Sequence, residues 1–289
     1  MSALVELFGK PKAIIAMAHF PPLPGQPLYD ADGGVSAILD AVGRDVQILA
    51  GSGVDAVMFC NEGDRPYRTQ VGPEVPSVMA MVITELRREL SIPFGVDVLW
   101  DPRAAIGLAH AVGAQFVREV FTGAYAGDFG VWSTDPAASL SYRRQLGADG
   151  LKLFFNVTAE FAAPMAPRDI GLTARSAVFS SLADAVCVSG VVTGIGVDVS
   201  QLHAAKQGVG PDVAVIANTG VRPETVRAML EVADGCIVGT SLKRDANTWN
   251  EVDPDRVERL LAAAVDAGVW APSRPRTRLV ATPAGDAGR

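Results

Sequence analysis

Three turns rich in glycine and hydroxyl residues recur in the last third of the chain: Ser189-Gly190 with Thr193-Gly194, Asn218-Thr219-Gly220, and Gly239-Thr240-Ser241. Each follows a short apolar run. Backbone amides in such turns can face an anion, and glycine lets a ligand approach the main chain closely. Ser189, Gly190, Thr193, Gly194, Thr219, Gly220, Gly239, Thr240 and Ser241 are therefore the candidate phosphate-binding residues, with the Lys243 ammonium following the last turn. Backbone amides, hydroxyls and one ammonium would surround an anion without needing dense charge.

A second set consists of charged residues inside apolar runs, where burial without a partner costs several kcal/mol. Asp97 lies in Phe94–Leu99, Arg118 and Glu119 in Phe116–Phe121, and Lys152 in Gly150–Phe155. They are expected to pair across neighbouring strands, either as a structural ion network or as charges gathered round a substrate. His19 closes the run Ala13 to Ala18. For proton-transfer chemistry, Glu119 or Asp97 is the candidate base and His19 or Asp128 the acid. Lys152 would hold an oxyanion, or form a Schiff base if burial lowers its pKa. Asn61, Arg118, Asn156 and Lys243 are the candidate substrate contacts. Glu62 and Asp64 share the turn of Asn61 and read equally as loop caps. His110 and His203 read as ordinary helical residues. A metal-assisted version would use His19, Asp97 and Glu119, whose spacing matches no compact ligand motif; no cofactor is expected.

The elements that position these residues alternate. Apolar runs at Ala13–Ala18, Ala56–Cys60, Phe94–Leu99, Phe116–Phe121, Gly150–Phe155, Ala185–Val188, Val213–Ala217 and Cys236–Val238 are too short for buried helices and suit strands covered on both faces. Helical periodicity fills the intervals, over Val35–Ala50, about Glu74–Leu90, Asp101–Val112, about Pro167–Leu182 and Val199–Gln207 among others. Asp-Pro pairs at Asp101, Asp135 and Asp253 give the cap-then-proline order of helix starts. Eight strands alternating with eight helices predict a single (β/α)8 TIM barrel of phosphate-binding type, with an open doubly wound sheet as the alternative. No GxGxxG follows the first strand, which argues against dinucleotide binding. The segment Phe20-Pro21-Pro22-Leu23-Pro24-Gly25 is a stiff loop, Thr122–Ser133 a long one, and from Ala271 a tail without periodicity is expected to be disordered.

Charge and composition limit the partners. Among 289 residues the net charge is -7 with no basic stripe, which excludes a nucleic-acid surface. Hydrophobic residues make up 49%, enough for a large core without staples. Cys60, Cys187 and Cys236 sit singly in apolar runs and read as core thiols of a reducing cytosol. No apolar run is long enough to span a bilayer. The expectation is a soluble cytoplasmic protein that binds a small phosphorylated molecule, with homo-oligomerisation compatible but unsignalled.

Several segments resemble the BtpA/SgcQ family: Ala16 to Gly25, Asn61-Glu62-Gly63-Asp64-Arg65-Pro66-Tyr67, Phe121 to Tyr125, Ser189 to Gly194, and Ala233 to Asp245 followed by Val252-Asp253-Pro254. The resemblance covers about residues 10 to 265 and implies a barrel. It implies either a sugar-metabolism enzyme or a factor in photosystem I biogenesis. Against the family pattern, Asp97 stands where asparagine is usual, Trp100 near a usual arginine, Asn156 where an aspartate is expected, and Glu160-Phe161 where a lysine-histidine pair is usual. The two expectations are therefore an enzyme, isomerase or aldolase/lyase, on a sugar phosphate or phosphoribosyl compound, and a non-catalytic assembly factor. A hydrolase or glycosidase using paired carboxylates is a third.

Overall fold

The computed structural model describes residues 1–273; the tail expected to be disordered lies, from residue 274 on, outside the described residues. The strands are β1 (Ala13–His19), β2 (Ala56–Cys60), β3 (Phe94–Asp97), β4 (Phe116–Glu119), β5 (Ala124–Gly127), β6 (Gly130–Ser133), β7 (Lys152–Asn156), β8 (Ala162–Pro164), β9 (Ala185–Ser189), β10 (Ala214–Asn218) and β11 (Gly235–Val238). Eight of them are parallel and close in the order β1-β2-β3-β4-β7-β9-β10-β11, with Ala13 opposite Gly235 completing the ring. The helices are α1 (Ala3–Phe8), α2 (Gly34–Ser52), α3 (Glu74–Leu86), α4 (Pro102–Val112), α5 (Pro136–Gln145), α6 (Ile170–Ser181), α7 (Val199–Val209), α8 (Val226–Val232) and α9 (Pro254–Asp266). The chain is a (β/α)8 barrel.

Strand alternation builds two cores. Ile15, Met17, Met58, Phe116, Phe154, Ile216 and Ile237 fill the barrel interior. Ile14, Val57, Val96, Val117, Phe155 and Val186 pack outward under the helices. Gly95 is required by this filling, since a Cβ there would lie 2.3 Å from the Phe116 ring. The three Asp-Pro pairs cap α4, α5 and α9 as expected, each aspartate accepting hydrogen bonds from first-turn amides. Helix α1 lies at the amino end of the strands, where Phe8 meets Phe116 edge-on and Glu6 pairs with Lys152 at 2.5 Å.

The expected long loop Thr122–Ser133 is instead a hairpin, β5 and β6, which pairs with β8 in a three-stranded antiparallel sheet of order β6-β5-β8. Its aromatic residues face the mouth: Tyr125 stacks on Trp132, Trp132 meets Trp100, and Phe129 meets both Trp100 and Tyr67. The carboxyl ends of the strands are thereby partly roofed.

Candidate functional site

The inward residues at the carboxyl ends of the strands form a polar layer on top of the apolar filling. Asp97 of β3 is paired with Arg118 of β4 at 2.8 Å, both buried. Asn156 of β7 and Asn218 of β10 both donate to the Ser189 hydroxyl of β9, at 2.9 and 2.6 Å. Arg118 keeps its Nε and Nη1 donors without a partner among the described residues, and it faces a cavity. That cavity, of about 210 Å³, is lined on one side by Glu62, Tyr67, Trp100, Arg118 and Glu160, with Thr193 beside the two glutamates. On the other side lie Gly194, Asn218, the Thr219–Arg222 turn and Gly239 to Ser241, with His19 against Gly239.

The glycine side is shaped by close backbone approach. Gly220 has φ +63°, and a Cβ there would lie 2.1 Å from the Gly196 backbone. Thr219 holds φ +81°, a left-handed conformation costly for a branched residue. Its hydroxyl accepts from the Gly190 amide and donates to the Ile195 carbonyl, both at 2.8 Å. The Ser241 hydroxyl donates to the Val221 carbonyl at 2.6 Å, and Thr240 pairs with Thr248. These hydroxyls tie the turns together. The amides of Gly220, Thr240 and Ser241 find no acceptor among the described residues, so the donors left for a ligand are main-chain N–H groups.

The opposite side is rich in carboxyls that burial keeps easy to protonate. Burial raises Glu160 to about 7, with the Arg118 charge opposing and Glu62 reinforcing. Glu62 is raised for the same first reason, although Arg118 and the Tyr67 hydroxyl, at 3.1 Å, favour its charged form. Beneath them Glu119 is pushed well above the carboxylate range by burial and then by Asp97. Asp97 is raised by burial against the pull of Arg118 and a hydrogen bond from Glu119. Asp97 is thus the carboxyl paired with Arg118, and Glu119 beside it is the one whose charged form burial and Asp97 together disfavour. His19 is driven well below its usual value by burial and by the Lys243 and Arg118 charges; it is a neutral imidazole lying against Gly239.

The sequence-derived candidates divide accordingly. His19, Arg118, Thr193, Gly194, Thr219, Gly220, Gly239, Thr240 and Ser241 meet at the cavity, and Asn218 with them. Ser189 and Gly190 line a larger cavity of about 790 Å³ outside the barrel mouth, bounded by β8, α6 and α7. Asp97, Glu119 and Asn156 lie in or under the polar layer and do not line the cavity. Asn61 binds Asp64 at 3.0 Å and the Leu99 amide at 2.7 Å, so it joins loop ends. Asp128 is exposed in the β5–β6 turn.

Two expectations are corrected. Lys152 does not reach Asp97 or Arg118: it is the first residue of β7, at the opposite end of the barrel, paired with Glu6 and 3.9 Å from Asp184. Lys243 is turned away from the glycine turns into a buried pair with Asp45 of α2 at 2.5 Å. An apolar run such as Gly150–Phe155 does not show which end of a strand Lys152 occupies, and the place of Lys243 after a glycine turn does not show which way its side chain points. Glu160, Tyr67, Trp100 and Arg222 were missed as site residues. Glu160 follows the end of β7 closely, and the rule that barrel sites gather at strand ends is the signal that points to it. Among the described residues, no three or more His, Cys, Asp or Glu side chains are grouped to hold a metal, and His19, Asp97 and Glu119 are not such a set.

Residues 10–266 match the BtpA family. The chain is 46% identical over 261 residues to the sgc region protein SgcQ of Escherichia coli K12, covering 90% of this chain and 97% of that one. It is 29% identical over 285 residues to the photosystem I biogenesis protein BtpA of a Synechocystis species, covering 98% and 97%. Among solved structures, thiamine phosphate pyrophosphorylase from Pyrococcus furiosus superposes with a TM-score of 0.55 at 14% identity, over 88% of this chain and 96% of that one. That likeness concerns the fold. No described helix is long and apolar enough to cross a membrane.

Proposed function

The chain belongs to the BtpA family, and on that footing we propose that it is an enzyme acting on a small phosphorylated metabolite, a sugar phosphate or phosphoribosyl compound, by isomerase or lyase chemistry. The phosphate takes the amides of Gly220, Thr240 and Ser241, where main-chain donors supply charge-assisted hydrogen bonds. The reacting carbons lie toward Arg118, Glu62 and Glu160. Arg118, whose guanidinium borders the cavity, stabilises a carbonyl oxygen or developing oxyanion there as a fixed cation. Glu160, with its carboxyl near neutrality, is matched to general acid–base work at physiological pH. Glu62 and Glu160 take the roles first assigned to Asp97, Glu119 and Asp128.

The observation that carries this reading is the single cavity lined both by the Gly220, Thr240 and Ser241 turns and by the carboxyls of Glu62 and Glu160 with the Arg118 guanidinium. A thermal-shift titration tests it. Sugar phosphates are expected to raise Tm where the same sugars without phosphate do not, a ligand at 100 times its Kd adding about 2.7 kcal/mol. Equal response to both series would refute it. The name of the Synechocystis relative favours a second reading, a biogenesis factor that captures a protein and turns nothing over. Buried carboxyls round a cavity are a costly feature for such a scaffold. A stably captured partner together with no phosphate response would favour it.

A further inference from the structure

The Thr193 hydroxyl oxygen lies 3.0 Å from Glu160 Oε2 and 3.4 Å from Glu62 Oε1. A hydroxyl has one proton and cannot donate to two carboxylates at once. When it donates to one, its oxygen can accept only from a protonated partner on the other side. Two ionised carboxylates here would leave one of them against an oxygen lone pair, with like-charge repulsion added across a buried wall.

We propose that Glu62, Thr193 and Glu160 form a proton relay in which the two carboxyls share one proton through the threonine hydroxyl. At rest the proton sits on Glu160, because Tyr67 Oη at 3.1 Å and Cys60 Sγ at 3.7 Å already donate to Glu62. Glu160 then donates to Thr193, and Thr193 donates to Glu62. In transfer, the Glu160 O–H bond breaks as that proton passes to Thr193 Oγ1, while the threonine's own proton passes to Glu62. Charge and atoms balance without a co-reactant. The groups facing the relay are Arg118 of β4, whose charge favours ionisation of both carboxyls, and Asp97, whose charge opposes it at Glu62, while the Tyr67 hydroxyl and the Cys60 thiol favour the charged form of Glu62.

The relay deepens the reading of the cavity as an active site, and its catalytic consequence rests on that reading. One carboxyl removes a proton from a carbon beside a carbonyl while the other delivers one to the carbonyl oxygen. Passage through Thr193 then restores the pair without bulk water. That cycle suits isomerisation of a phosphorylated hydroxycarbonyl compound, in which no proton is gained or lost overall.

The test is an NMR titration of the full-length protein with 13C-labelled glutamate carboxyls, resonances being assigned by Glu62→Gln and Glu160→Gln. The two carboxyls should titrate together, each curve showing two inflections separated by more than about one pH unit. Either glutamine variant should leave the remaining glutamate with a single inflection, and Thr193→Val should collapse the shared inflections. All three replacements are near-isosteric, and circular dichroism confirms the fold. Independent single inflections in the wild type, or a coupled titration unchanged by Thr193→Val, overturns the relay. Neither result bears on phosphate binding, whose failure leaves this titration untouched.

Discussion

Replacing Glu160 by glutamine should make the protein more stable at alkaline pH and should abolish part of its pH dependence. Glu160 is 4% exposed, and burial lifts its carboxyl from 4.5 to about 7. The folded protein therefore holds this proton more tightly than the unfolded chain does. Stability contributed by the protonated form is fully present below the unfolded pKa, falls as pH rises from about 4.5 to about 7, and is flat beyond. At about 1.4 kcal/mol per tenfold change, the full cost of ionising Glu160 in place is about 3 kcal/mol. Sharing of the titration with Glu62 spreads that cost over the pair. Urea unfolding of both proteins at pH 5, 6, 7 and 8 measures it. The variant should be close to wild type at pH 5 and about 2 to 3 kcal/mol more stable at pH 8. Parallel curves for the two proteins across this window would refute the burial of an ionisable Glu160.

Asp97→Ala removes the one carboxylate paired with Arg118 in a buried layer, and a drop of about 3 to 5 kcal/mol in urea unfolding is expected. Gly220→Ala puts a Cβ 2.1 Å from the Gly196 backbone at a positive φ. The turn must shift, and the thermal response to inorganic phosphate should weaken at least about tenfold alongside a loss of about 1 to 3 kcal/mol. Lys152→Met breaks a pair whose partners are 21% and 43% exposed at the far end of the barrel. It should leave the urea midpoint nearly unchanged and phosphate binding unaffected.

The architecture was legible because it rests on runs of apolar residues and on caps. Eight short apolar runs separated by periodic segments admit few folds, and Asp101, Asp135 and Asp253 mark helix starts through local chemistry that tertiary contacts do not alter. The hairpin of β5 and β6 was hidden because its residues, Ala124 to Ser133, lack alternating polarity; Tyr125 and Trp132 are buried only by the roof they help to build. The glycine turns were recognisable as turns, yet their hydroxyls were assigned to a ligand when Thr219 and Ser241 bind the main chain instead. Lys243 shows the same limit, since its partner Asp45 lies almost two hundred residues away on α2. Glu160 is marked in the sequence only by its place just after β7. Its chemistry comes from burial beside Arg118 and Thr193, which only the closed ring of strands supplies.

The central claim is that Gly220, Thr240 and Ser241 hold a phosphate facing Arg118, Glu62 and Glu160. Crystals of the full-length protein soaked in inorganic phosphate test it most directly. The expected result is tetrahedral density within hydrogen-bond distance of the Gly220, Thr240 and Ser241 amides, on the side of the cavity away from Glu160. Phosphate bound only elsewhere, with those amides turned to other acceptors, would contradict it.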